Sequence, residues 1–360
     1  MALDLRRFFV DVFEPEPGEV VTVACDLPTP TAPDRPAWVE RREMADEWRH
    51  ALEELGSHLG FTTNPLLTYP ATGANNADLP ERGVLGGTPV RLDETLQSTT
   101  LALFLTQFSA TAPLDRLTRQ HDDFRAASMP GVEKRMERTA LAADYREVAR
   151  RCHVIADLLR GASALDVTFS TGHACRFDLR FRAPEVDDGF LPRRKPGDRV
   201  INLPSGETFV VPYEGEREGV PSGTAGEIPV RVGDELVVFA VATNRIVKVE
   251  GGGQAARRYR ELFAADPARS NVAEVAFGCN EWAEVTGNVL EDEKAGFHWA
   301  YGRSDHLGGT VSPAAFAGPH TVVHQDIVYA RGNPILIAEA ALVRPEGQVV
   351  VLRDGSYVVF

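Results

Sequence analysis

Three segments of this 360-residue chain carry side chains that could hold a metal ion. The first reads Asn-Val-Ala-Glu-Val-Ala-Phe-Gly over 271–278 and places Glu274 in an apolar run. The second, Leu-Glu-Asp-Glu-Lys-Ala-Gly-Phe-His over 290–298, supplies Glu293 and His298. The third, Val-Val-His-Gln-Asp-Ile-Val over 322–328, supplies His324 and Asp326. Upstream, Asn-Leu-Pro-Ser-Gly-Glu over 202–207 adds Glu207. Side chains two apart on a strand share a face, so His324 and Asp326 project together. A neutral imidazole beside a carboxylate is a partial chelate for Zn²⁺ or a similar ion. A carboxylate flanked by Val272, Val275 and Phe277 needs a partner, and a cation is the natural one.

The elements that position these residues fall into two textures. Over 1–161, strand patterns at 18–27, 65–69, 99–107 and 125–129 alternate with helical ones at 36–59 and 132–160. That alternation predicts an α/β layer with a parallel core. No phosphate-cradling glycine motif accompanies it. Over 162–360, short strands recur at 165–170, 174–181, 209–212, 228–232, 235–242 and 246–250, with turns about every ten residues. One helix at 254–264 precedes the metal-type strands, and a hairpin turning at Asp354-Gly355 closes the chain. The second half is therefore expected to be α+β, largely antiparallel and strand-rich.

Composition narrows the function classes. Hydrophobic residues make up 43 % and charged residues 25 %, ordinary for a soluble globular protein. The net charge of −14 comes with no basic stripe, which argues against nucleic-acid or anionic-membrane binding. The four cysteines lie far apart, with no Cys-x-x-Cys pair for a thiolate zinc knuckle. Residues 1–10 do not read as a signal peptide, and no apolar run nears the length of about 18 residues needed for a membrane span. The expected setting is cytoplasmic.

The quoted segments, in this order and approximate spacing over residues 160–345, resemble the M29 peptidases. These are the aminopeptidase T group of metal-dependent leucyl aminopeptidases. The first half is similar in pattern, including Ala-Ser-Met-Pro-Gly over 127–131 and Asp144-Tyr145. The resemblance implies two divalent ions per chain (Zn, Co or Mn) held by Glu207, Glu274, Glu293, His298, His324 and Asp326. It also implies a small peptide or amide substrate cleaved beside its free amine, and a homodimer. Glu207 and Glu274 would act in catalysis as well as in binding. The chain departs from the family at a tyrosine expected about seven residues after His298, where Asp305 and then His306 stand; Tyr301 is on another register. Asp305 and His306 thereby become candidate catalytic groups. Two alternatives remain. One is a protein of this fold that binds peptides or serves a biosynthetic pathway with altered or lost turnover. The other is an Fe(II) ring-cleaving dioxygenase of the dihydroxypyridine type, distant members of the same fold. In those the Glu274 position tends to be histidine and the His298 position is not a ligand.

Overall fold

A computed structural model describes residues 3–360; the start of the N-terminal stretch read above, residues 1 and 2, lies outside them. The chain forms two compact units, each of three segments. One comprises Met1–Ala149, Asp187–Gly206 and Asn280–Lys294; the other comprises Arg150–Val186, Glu207–Cys279 and Ala295–Phe360. The expected split into consecutive halves at 161/162 is thus replaced by an interleaved one.

The first unit is built on a mixed sheet. Strands Val200–Asn202, Arg125–Pro130, Leu101–Thr106, Val20–Leu27 and Leu67–Pro70 lie side by side in that order, all parallel. The hairpin of Arg82–Leu85 and Thr88–Arg91 adds an antiparallel edge. Every residue of Leu101–Thr106 is buried, as a central parallel strand covered on both faces requires. The helix Pro36–Leu59 packs Trp48, Leu52 and Leu55 into the main apolar core. A buried ion pair lies in this unit: the Arg125 guanidinium binds the Glu19 carboxylate and donates to the carbonyls of Leu191 and Phe13.

Two helices differ from expectation. Residues 5–13 form an α-helix with Asp4 accepting from the Arg7 amide at its N-cap. Its buried face is Phe8, Phe9, Val12 and Phe13, the i, i+1, i+4, i+5 pattern of an amphipathic turn. The helix expected over 132–160 begins only at Tyr145 and ends at Leu159. Two short 3₁₀ turns, Lys134–Arg138 and Ala140–Ala142, precede it. The stop is chemical: the Asp144 carboxylate accepts from the amides of Arg146 and Glu147, capping a helix that starts there.

The second unit holds an eight-stranded antiparallel sheet from Arg245–Glu250 through to Ser356–Tyr357. Beside it lies a five-stranded sheet, four strands of which carry the site. These are β1 (Glu207–Val210), β2 (Val272–Gly278), β3 (Phe297–Gly302) and β4 (His324–Tyr329), adjacent and antiparallel in that order. Strand alternation gives this sheet two unlike faces. On one, Trp299 and Tyr301 meet Phe239, Tyr259 and Phe263, with ring centroids 5.3–6.4 Å apart. The other carries the carboxylates and imidazoles. Among the described residues no helix is long and apolar enough to cross a membrane.

Candidate metal centre

Register builds the site. Ala300 on β3 stands opposite Glu274 on β2 and Asp326 on β4, and His298 stands opposite Ala276. Residues directly opposite share a face, so two alanines floor the site and leave room for the longer side chains above them. Gly302 pairs with His324, and Glu207 with Gly278, placing the last two candidate ligands at the ends of the patch.

Both imidazoles are fixed the same way. Nδ1 of His298 lies 3.1 Å from the Gly296 carbonyl, and Nδ1 of His324 lies 2.8 Å from the Arg303 carbonyl. A carbonyl only accepts, so each Nδ1 carries the proton and each Nε2 is left to face the carboxylates. Nε2 of His298 is 3.3 Å from Glu207 Oε2 and 3.9 Å from Glu274 Oε1. Nε2 of His324 is 3.0 Å from Glu274 Oε2 and 3.4 Å from Asp326 Oδ1. Two groups result: Glu207, Glu274 and His298, and Glu274, His324 and Asp326, the ligand atoms of each lying within 4.8 Å of one another. Glu274 belongs to both, one oxygen toward each histidine.

Electrostatics agree with a cation-binding role. Burial raises the Glu274 carboxyl above its usual range, against the lowering pull of His324. Burial disfavours the charged form of His298 most strongly of any single effect, but the carboxylates of Glu207, Glu274 and Asp326 together outweigh it and lift the imidazole to about 9. His324 is likewise driven well above its usual value, Asp326 and Glu274 overcoming the cost of burial. Three carboxylates thus hold protons on two imidazoles in the absence of a stronger positive charge, the situation a divalent ion relieves. The donor set of imidazole nitrogens and carboxylate oxygens, with both outer nitrogens tied to carbonyls, fits Zn²⁺, Co²⁺ or Mn²⁺.

The other residues singled out in the sequence fall differently. Glu293 lies in a 3₁₀ turn of the first unit, belongs to neither group, and accepts from Lys294 Nζ at 2.6 Å. Asp305 is engaged by Arg303 Nε at 2.5 Å. The His306 ring stands edge-on to that of His324, centroids 5.0 Å apart. Burial, then the charges of His324 and Arg303, press its pKa down to about 4, so it is neutral near pH 7. Tyr301, on the opposite face of β3, is removed from the site by strand alternation.

Two residues gave no sequence signal as part of this site. Arg303 contributes through its carbonyl, which any residue has. Gly302 has φ +109°, and a Cβ there would lie 2.1 Å from the Val323 carbonyl oxygen. Gly302→Ala is therefore expected to destabilise the protein by about 1–3 kcal/mol, read as a lower urea midpoint at unchanged slope; an unshifted midpoint would remove Gly302 from this account.

No family model matches the chain, and no curated protein matches it. Solved structures do. The 2,5-dihydroxypyridine dioxygenase of Pseudomonas putida KT2440 aligns over 98 % of this chain and 96 % of its own, at 17 % identity and a TM-score of 0.63. Wild-type AmpT from Thermus thermophilus aligns over 98 % of both chains, at 16 % identity and a TM-score of 0.55. The chain shares the mixed α/β fold of these two proteins from end to end.

Proposed function

We propose that the protein is a two-metal amide hydrolase that removes N-terminal residues from peptides. One observation carries this reading: Glu274 is common to both ligand groups, with an oxygen toward each. A bridging carboxylate is what a pair of ions in neighbouring sites needs, and a single ion has no use for the second group.

When bound, two divalent ions would supply a water of lowered pKa and Lewis acidity for a carbonyl oxygen. The chain's own residues then divide the work. His298 and Glu207 would hold one ion, and His324 and Asp326 the other, with Glu274 available to both. The Glu207 side chain is 10 % exposed, at the end of the patch, and is placed to take a proton from the attacking water. His306, neutral and seated against His324, offers an N–H to the oxygen on which negative charge develops. It takes the part that the sequence resemblance gives to a tyrosine. Asp305, paired with Arg303, steadies the turn instead.

A second reading has its own support. His298 and His324 each face an oxygen of Glu274, which supplies the residue types of a two-histidine, one-carboxylate iron site, and one fold neighbour is a dioxygenase. It leaves Glu207 and Asp326 without a task, so we rank it behind hydrolysis. A panel separates the two. Amino-acid anilides and short peptides, with N-acetylated controls, are incubated without oxygen beside 2,5-dihydroxypyridine in air. Cleavage of the free but not the acetylated substrates is expected. Oxygen uptake with the pyridine, and no amide cleavage, would replace the hydrolase with the oxygenase.

A further inference from the structure

We propose that Glu214 is a positioning residue that fixes the 303–311 loop and thereby holds His306 over the site; this rests on the hydrolase reading above. Glu214 is not a ligand, yet its side chain is only 5 % exposed. A carboxylate withdrawn from water needs its lone pairs filled, and this one has four donors. They are Asn271 Nδ2 at 2.8 Å, Ser304 Oγ at 2.5 Å, and the Thr310 amide and hydroxyl at 2.6 Å each. Arg182 Nη2 lies 3.8 Å away.

These donors sit at informative places. Ser304 and Thr310 bracket the 3₁₀ turn Asp305–Leu307 that carries His306. The loop is closed upon itself there: the Ser304 amide donates to the Val311 carbonyl, and the Gly309 amide to the Ser304 carbonyl. Asn271 stands just before β2, and its Nδ2 also donates to the Gly302 carbonyl at the end of β3. One carboxylate therefore ties both ends of the His306 turn to the sheet that presents the ligands. The His306 side chain itself is 38 % exposed, with its Nδ1 3.9 Å from Asp305 Oδ1 and its ring against that of His324, so its position follows that of the turn. Arg303 spans the remaining gap, its amide donating to Val323 and its carbonyl accepting from His324. A shift of the turn would thus move His306 first.

The substitution Glu214→Gln tests this. The amide keeps one acceptor oxygen and turns an NH₂ toward groups that are themselves donors, so the clamp opens without loss of volume. In the metal-loaded protein, amide exchange over residues 303–311 is expected to quicken at least tenfold while bound metal per chain stays at the parent value. With an anilide substrate, kcat falls on the order of tenfold and KM stays within about twofold, as misplacement of a group near the reacting atoms predicts. Glu214→Asp restores part of the loss. The double variant with His306→Ala is no slower than His306→Ala alone, because Glu214 acts through that residue. Unchanged exchange over 303–311, or losses that multiply in the double variant, overturns the proposal. The exchange measurement needs no substrate. A parent protein that cleaves no amide therefore sinks the hydrolase reading, while exchange still decides whether Glu214 holds the loop.

Discussion

Glu274→Ala empties both metal positions at once, whereas His324→Ala and Glu207→Ala each empty one. The difference follows from group membership: Glu274 is in both ligand sets, His324 and Glu207 in one apiece. Elemental analysis after dialysis against metal-free buffer is expected to give no ions per chain for Glu274→Ala, one for each of the others, and two for the parent. Hydrolysis by Glu274→Ala should fall well beyond the ~10–100-fold that loss of an outer-sphere partner costs, because the ligands themselves are lost. The fold should survive. Glu274 is a carboxylate that burial disfavours in its charged form, and its strand is held by ladders to β1 and β3 that do not involve its side chain. Far-ultraviolet circular dichroism of the metal-free variant checks that. If Glu274→Ala still bound one ion with parental affinity, the two groups would not share it, and the bridged centre would be wrong.

How far this site could be read from the chain depends on what each residue's position relies on. His324 and Asp326 follow from strand alternation, a rule of period two that holds wherever a strand forms. Glu274 follows from polarity, a carboxylate in a run that is buried from end to end. Their convergence with Glu207 and His298 is a matter of register across four strands, which no local pattern encodes; there the resemblance to a known ligand order did the work. Glu293 shows the limit: it shares the segment of His298, but it opens the 3₁₀ turn Glu293–Ala295 that ends before β3 begins, and it falls in the other unit. The Glu214 clamp was invisible for a related reason. Its donors lie 57 to 96 residues away in the chain, and a glutamate in a Glu-Gly-Glu stretch looks solvated. The helix start at Tyr145 is legible in the chain. Within 132–160 the apolar stripe Tyr145, Val148, Cys152, Ile155 and Leu159 lies wholly inside the helix that forms. Asp144, with Glu147 three positions on, is the capping pattern that marks its true start. The helix over 5–13 is written in the spacing of Phe8, Phe9, Val12 and Phe13, which shows only when the pattern is followed past Val10.

Metal affinity should climb steeply with pH, by roughly tenfold per unit between pH 6 and 8 for each proton displaced. The metal-free protein keeps His298 protonated up to about 9, since the carboxylates of Glu207, Glu274 and Asp326 together outweigh the cost of burial, and His324 is raised in the same direction. An ion must displace those protons to reach Nε2. The sign for stability is opposite in the two forms. The folded pKa of His298 lies above the ordinary value of 6.5, so protonation stabilises the metal-free fold fully below that value. That contribution is lost as pH rises from about 6.5 through 9. The loaded protein gains over the same window, because the competing protons leave. The gap in Tm between loaded and metal-free protein is therefore expected to widen with pH, from small near pH 6 to large near pH 8.5. Calorimetric titration with Mn²⁺ in two buffers of different ionisation enthalpy counts the protons directly, and at least one per chain should appear at pH 7. Affinity that stays level from pH 6 to 8, with no proton released, would mean that the ion does not bind at these imidazoles, and the centre built from Glu207, Glu274, His298, His324 and Asp326 would have to be abandoned.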